Sequence, residues 1–100
     1  MMKDKRVVLT GASSGLGAAL AHTLAEQGAK LALFATHPER LETVAQECRA
    51  SGAEVLVDTG DVAQAKDVQA TVLRAAEAWG GIDFVTVSYT HLTLPTTTPV

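Results

Sequence analysis

Cysteine is almost missing from this sequence. Cys48 stands alone, so no disulfide can form within the chain, and the usage suits a reducing cytoplasm. His22, His37 and His91 lie far apart and have no Cys or carboxylate companions at metal-ligand spacing, so a structural metal is not expected. Aromatic residues make up 4% of the chain, a shortage that fits helices packed closely on a sheet through small side chains. A basic surplus is missing too. The net charge is −3, and Lys3, Lys5 and Arg6 are too few, with Asp4 among them, to make a nucleic-acid arm or a patch for an anionic membrane. No apolar run approaches the roughly 20 residues of a membrane span. The opening Met-Met-Lys-Asp-Lys-Arg leads into Val7-Val8-Leu9, which Thr10-Gly11 ends at once, so it does not read as a secretory signal.

What is present is a chain of 100 residues, the size of one small domain, with 47% hydrophobic content and Ala, Val and Leu its commonest apolar residues. Val7-Val8-Leu9 reads as a buried strand. From Ser14 to about Gly28, Leu16, Leu20 and Leu24 recur every four positions, predicting an amphipathic helix capped by Gly28. Lys30 to Ala35 reads as a second strand. Pro38 then sits where a first helical turn tolerates it, and Leu41, Val44, Ala45 and Cys48 mark a second helical face closed by Gly52. Glu54 to Val57 predicts a third strand, ending at Asp58. Val68, Val72, Ala75, Ala76 and Trp79 mark a third helix stopped by Gly80-Gly81, and Ile82-Asp83-Phe84-Val85 opens a fourth strand. This alternation of strands and helices predicts right-handed crossovers and an α/β fold, a parallel sheet with helices on both faces. No internal repeat or linker divides the region.

The chemistry is concentrated in Thr10-Gly11-Ala12-Ser13-Ser14-Gly15-Leu16-Gly17, which joins the first strand to the first helix. Gly11 suits a sharp turn off the strand, Gly15 a close approach of backbone to a diphosphate, and Gly17 close packing of the helix. The helix N-terminus offers unpaired N–H groups and a positive dipole end, and Ser13 and Ser14 add hydroxyl donors. No Gly-Lys-Ser/Thr follows, which excludes a Walker A loop. A glycine-rich turn taken alone is only a turn. Here a strand precedes it, a helix follows, and a second strand comes about twenty residues later, as dinucleotide binding requires. Cys48 reads as packing, His22 as solvent-facing on the outer side of the first helix, and Trp79 as a helix-end core anchor.

Thr-Gly-Ala-Ser-Ser-Gly-Leu-Gly resembles the cofactor signature of the short-chain dehydrogenase/reductase family. So do Ala-Glu-Gln-Gly-Ala-Lys after the first helix, Glu39-Arg40-Leu41 opening the second, Asp61-Val62 after the third strand and Gly81-Ile82-Asp83 before the fourth. The resemblance covers residues 5 to 85. It implies a Rossmann-type sheet and an NAD(P)-dependent oxidoreductase moving hydride between NADP(H) or NAD(H) and a carbonyl or alcohol. The expected cofactor-binding residues are Gly11, Ser13, Ser14, Gly15, Leu16, Gly17, Thr36, His37, Asp61 and Val62. In that family Asp61 would bond the adenine amino group and Val62 would pack on the ring. From the residues alone, Asp61 can also cap the third helix. A carboxylate ending the second strand would chelate the ribose hydroxyls and repel a 2′-phosphate. The chain has Ala35-Thr36-His37 there, and although neither Thr36 nor His37 is the arginine usual in NADP-preferring relatives, NADP is favoured over NAD. His37 also reads simply as a surface residue beside Pro38.

The resemblance ends after Val85, where the family continues into Asn-Asn-Ala-Gly and later supplies a Ser and a Tyr-x-x-x-Lys. Tyr89 has Thr93, not Lys, four positions on, and Ser13 and Ser14 belong to the phosphate loop, so no catalytic residue is assigned. The threonine-rich stretch from Thr86 has no helical period or turn signal. Val87 to Thr96 resembles, residue for residue, one reading frame of the transposase mosaic-end adapter used in sequencing libraries. The expectation is therefore a partial NAD(P)-binding Rossmann domain over residues 1–86, truncated after its fourth strand, with a non-native irregular tail over 87–100. The alternative is a natural short protein with an irregular tail. The resemblance further implies a cytoplasmic, homo-oligomeric parent enzyme and an inactive fragment. A non-catalytic dinucleotide-sensing domain and a fragment without function stand as the rival readings.

Overall fold

The computed structural model describes residues 3–13, 15–61 and 63–86. Strands β1 (Arg6–Thr10), β2 (Lys30–Ala35), β3 (Glu54–Thr59) and β4 (Phe84–Thr86) alternate with helices α1 (Gly15–Glu26), α2 (Pro38–Ala50) and α3 (Ala65–Trp79). The strands form one sheet in the order β3-β2-β1-β4, and every pairing is parallel. This is the α/β architecture that the alternation predicts, in the Rossmann-type form that the resemblance implies. The third strand runs one residue past Asp58. The fourth begins at Phe84, because Asp83 is engaged in the preceding turn by Arg6.

Both faces of the sheet are covered, which is why its strands read as near-continuous apolar runs. Val7, Leu9, Leu31, Leu33, Ala35 and Val55 join the buried faces of α1 and α2 in one cluster. Val8 and Ala32 point the other way, onto Ala75 of α3, with Leu56, Val72, Trp79, Ile82 and Val85 packed around them. Leu9, Leu31, Leu33, Phe34 and Leu41 are all fully buried, each worth about 2 kcal/mol of apolar transfer.

The face of α1 differs from the predicted one. Its buried stripe is Gly17, Ala21, Leu24 and Ala25, while Leu16 is 81% exposed and Leu20 only partly covered. Successive residues turn by about 100°, so each four-residue step overshoots a full turn by about 40°. The leucine series therefore drifts around the helix, and the smaller residues let α1 lie close to the sheet. Gly28 and Gly80 adopt left-handed φ of 83° and 78° at the ends of α1 and α3, as the stop signals predict.

His22 stands at the surface, as expected, with its side chain 40% exposed. Its Nε2 lies 3.1 Å from Glu47 Oε1 and links the surfaces of α1 and α2. Cys48 is fully buried in the α1–α2 cluster, and burial, aided by the charge of Glu47, pushes its thiol up from the ordinary range, which keeps it protonated and inert. Trp79 is half-buried against the α3 cluster and its Nε1 donates to Glu54 Oε2 at 2.6 Å, the anchor its position predicts. No helix among the described residues is long and apolar enough to cross a membrane. The tail assigned to residues 87–100 lies outside the described residues.

Candidate functional site

Parallel pairing aligns the C-terminal ends of the first three strands: Thr10 is opposite Phe34, Phe34 opposite Asp58, and Ala35 opposite Thr59. The segments that follow therefore leave the sheet along one edge, namely the glycine loop, Thr36-His37 and Gly60-Asp61. β1 is flanked by β2 on one side and β4 on the other, with the intervening helices on opposite faces. The chain thus reverses direction beside the end of β1, the place where open α/β sheets bind their ligands.

The glycine loop is built by conformation and proximity. Gly11 turns off β1 with φ 66°, and Ala12 N donates to Phe34 O at 3.2 Å, drawing the loop across the end of β2. A Cβ on Gly17 would collide with the Gly11 carbonyl oxygen and lie 2.7 Å from its carbon, so α1 begins directly against the turn. Gly17 thus serves helix–turn packing more directly than helix–sheet packing. Gly15 has φ 49°, and a Cβ placed there would meet nothing within 4 Å. Among the described residues Gly15 borders open space on that side. Unlike α2 and α3, which carry Glu39 and Asp67 in their first turns, α1 has no acidic residue to neutralise its positive end. Ser13 is half-buried in the loop, and exposed Leu16 stands in the first turn beside it. Ser14 lies outside the described residues.

At the end of β2, Thr36 and His37 are both exposed. His37 occupies the N-cap position of α2 without a side-chain capping bond, and it shares a shallow depression with Pro38, Glu39 and Arg40. Arg40 was not among the expected site residues. Its signal was a cation one turn into the helix that follows β2.

Beyond β3, Asp61 is exposed and does not cap α3. The N-cap is Gln64, whereas Asp61 Oδ1 accepts from Ala63 N at 2.9 Å in a local turn. The main-chain N of Asp61 donates to Asp67 Oδ2 at 3.1 Å. Gly60 N donates to Ala35 O at 3.2 Å, and a Cβ on Gly60 would lie 2.9 Å from Phe34 Cζ and 3.1 Å from Asp67 Oδ2. Phe34, Gly60 and Asp67 are therefore parts of this corner that sequence reasoning missed. A glycine immediately before Asp61 was the one local clue. Val62 lies outside the described residues.

Comparison with known proteins agrees with this geometry. Residues 5–91 match the family model for short chain dehydrogenase. An uncharacterized oxidoreductase of Listeria innocua is 42% identical over 84 residues, which are 84% of this chain and 34% of that protein. Among solved structures, NAD+-bound xylitol dehydrogenase superposes with a TM-score of 0.80 at 32% identity, covering 88% of this chain and 35% of the other. A short chain dehydrogenase/reductase from Burkholderia phymatum in complex with NAD gives 0.79 at 37% identity, covering 84% and 30%. The chain belongs to the short-chain dehydrogenase family, and it spans about a third of the length of the relatives it matches.

Proposed function

We propose that this chain is the dinucleotide-binding part of an NAD(P)-dependent oxidoreductase acting on a carbonyl or alcohol. The observation that carries the reading is the pairing of Gly17, jammed against the Gly11 carbonyl, with Gly15, whose left-handed backbone faces open space. Such a loop exposes main-chain N–H groups to a diphosphate and keeps side chains out of its way. Gly11, Ser13, Ser14, Gly15, Leu16 and Gly17 would hold the diphosphate end, Thr36 and His37 the adenosine ribose, and Asp61 and Val62 the adenine. Once bound, the dinucleotide supplies the hydride-carrying nicotinamide. The chain's own residues bind and orient it, and none of them serves as the proton donor.

Two further parts belong to the same proposal. NADP is bound in preference to NAD, because Ala35-Thr36-His37 sets no carboxylate at the end of β2 against a 2′-phosphate; Glu39 and Arg40 both line the adjoining depression. The unit of binding is residues 1–86, within a parent that is a cytoplasmic homo-oligomer. Equilibrium titration of the chain with NADPH and NADH, followed by nicotinamide fluorescence, tests the reading. Saturable binding with NADPH the tighter ligand is the expected result. Binding of neither cofactor overturns the function, and tighter binding of NADH overturns the preference alone.

A further inference from the structure

Asp67 has no part in the dinucleotide contacts just assigned, yet its carboxylate lies against the turn that carries Asp61. It is the third residue of α3 after the Gln64 cap, the position from which an acidic side chain ordinarily reaches back to the main-chain N–H of the cap itself. Here that N–H is already spent, since Gln64 N donates to Asp61 O at 2.9 Å. The Asp67 carboxylate passes over the cap and takes the N–H of Asp61 at 3.1 Å. Two bonds therefore bind Asp61 to the start of α3, one through its carbonyl and one through its amide.

Gly60 makes this reach possible. A Cβ there would sit between the Phe34 ring and Asp67 Oδ2, at 2.9 and 3.1 Å, so only a bare Cα lets the carboxylate and the ring close on the turn together. The helix bearing Asp67 is fixed in turn against the end of β3. Thr71 Oγ1 lies 3.1 Å from Asp58 Oδ2 and 3.3 Å from Asp67 O, and Arg74 pairs with the other Asp58 oxygen. The carboxylate of Asp61 uses Oδ1 locally, on Ala63 N. Its Oδ2 has no partner among the described residues.

We propose that Asp67 is a positioning residue for adenine recognition: by holding the main-chain N–H of Asp61 across Gly60, it fixes where the Asp61 carboxylate meets the exocyclic amino group of the base. This rests on the reading of Asp61 as the adenine contact. Asp67 touches the ligand nowhere and acts only through the turn, so its influence is confined to ligands that carry the base.

The full chain is titrated calorimetrically with AMP and with ribose 5-phosphate, which shares the phosphate and ribose but lacks adenine. Asp67→Ala weakens AMP binding by about tenfold, the order expected for one charge-assisted hydrogen bond, and leaves ribose 5-phosphate within about twofold. Asp67→Asn, whose amide oxygen still accepts the bond, restores most of the AMP affinity. Gly60→Ala keeps the Asp67 side chain but crowds both its carboxylate and the buried Phe34 ring, and it weakens AMP binding in the same direction, giving a second variant that disturbs the same contact. Asp83→Ala, which breaks a clip at the opposite end of the sheet, lowers the melting temperature but not AMP affinity. Amide hydrogen exchange at Asp61 quickens in Asp67→Ala and not in Asp83→Ala. AMP affinity unchanged in Asp67→Ala, or an equal loss for both probes, overturns the positioning role while leaving the dinucleotide reading intact. A wild-type chain that binds neither probe overturns both.

Discussion

Arg6 donates three hydrogen bonds to the single carboxylate of Asp83, 77 residues away: Nε and the main-chain N to Oδ2, each at 2.9 Å, and Nη2 to Oδ1 at 3.1 Å. Asp83 N returns a bond to Arg6 O at 2.8 Å, and Arg6 Nη1 reaches Trp79 O at 3.4 Å. One arginine thus ties the start of β1 to the end of α3 and the turn into β4. Gly81 borders the guanidinium so closely that a Cβ there would lie 2.9 Å from Nη1.

This clip has a pH signature. The hydrogen bonds from the Arg6 side chain, then its main-chain N–H, then its charge hold the Asp83 carboxyl far below the usual aspartate range. A group whose pKa is depressed on folding stabilises the folded state above its unfolded value, about 3.9 for Asp, and loses that contribution as pH falls toward the folded value. The stability difference between wild type and Asp83→Asn should therefore be level from pH 8 to pH 5 and shrink below about pH 4. Urea unfolding across that range checks it. A difference that grew on acidification would contradict the assignment.

Gly17→Ala should be costly out of proportion to one methyl group. The added carbon has rigid main chain before it at Gly11 and no flexible side-chain end to displace. Either α1 or the turn must shift, at about 1–3 kcal/mol, with loss of dinucleotide binding. Denaturant midpoints and cofactor titration on the same preparation measure both effects.

Gly15→Ala separates the two quantities. The space is open, so the stability cost is limited to left-handed strain of about 1 kcal/mol. Cofactor affinity should fall by roughly tenfold or more, because the methyl occupies the face presented to the diphosphate. A bulkier Gly15→Val should lose binding further. Unaltered affinity in both variants, measured by titration, would refute the diphosphate assignment.

No turnover is expected from the chain itself. Its 100 residues contain no Tyr-x-x-x-Lys, and Tyr89 is followed by Thr93 at the spacing where the lysine would stand. A panel of carbonyl and alcohol substrates with both cofactors, read at the nicotinamide absorbance, should stay at background. Reproducible turnover would show a proton donor of another kind.

Local rules carried the sequence reading well where the deciding contacts are local. The glycine at each helix end, Pro38 opening α2 and the apolar runs of β1 and β2 are statements about backbone freedom and period, and the structure follows them. The departures come where position in three dimensions decides. Leu16 matched the spacing of Leu20 and Leu24 but stands in solvent, since angular drift is invisible to a count of fours. Asp61 had the chemistry of a cap, yet Gln64 holds that place because the turn is longer than a cap needs. Asp67 and Arg6 gave no signal, for each acts through a partner that only the folded chain brings near.

The placement of β1 between β2 and β4 also sets an order of events in time. β2 and its pairing with β1 become available after a single helix, and β3 adds to β2 by the same short step. β4 can pair with β1 only after all three helices have been traversed, and such long-range closure is late and slow because its entropy must be met before any contact rewards it. On this order of events the β1–β4 contacts are expected to form after the transition state. Releasing the Arg6–Asp83 clip should thus leave the refolding rate almost unchanged and raise the unfolding rate by nearly the whole loss in stability. In stopped-flow measurements Asp83→Asn would displace only the unfolding arm of the chevron. The clip acts as a latch on the lifetime of the folded chain, with little say in how quickly that chain is reached.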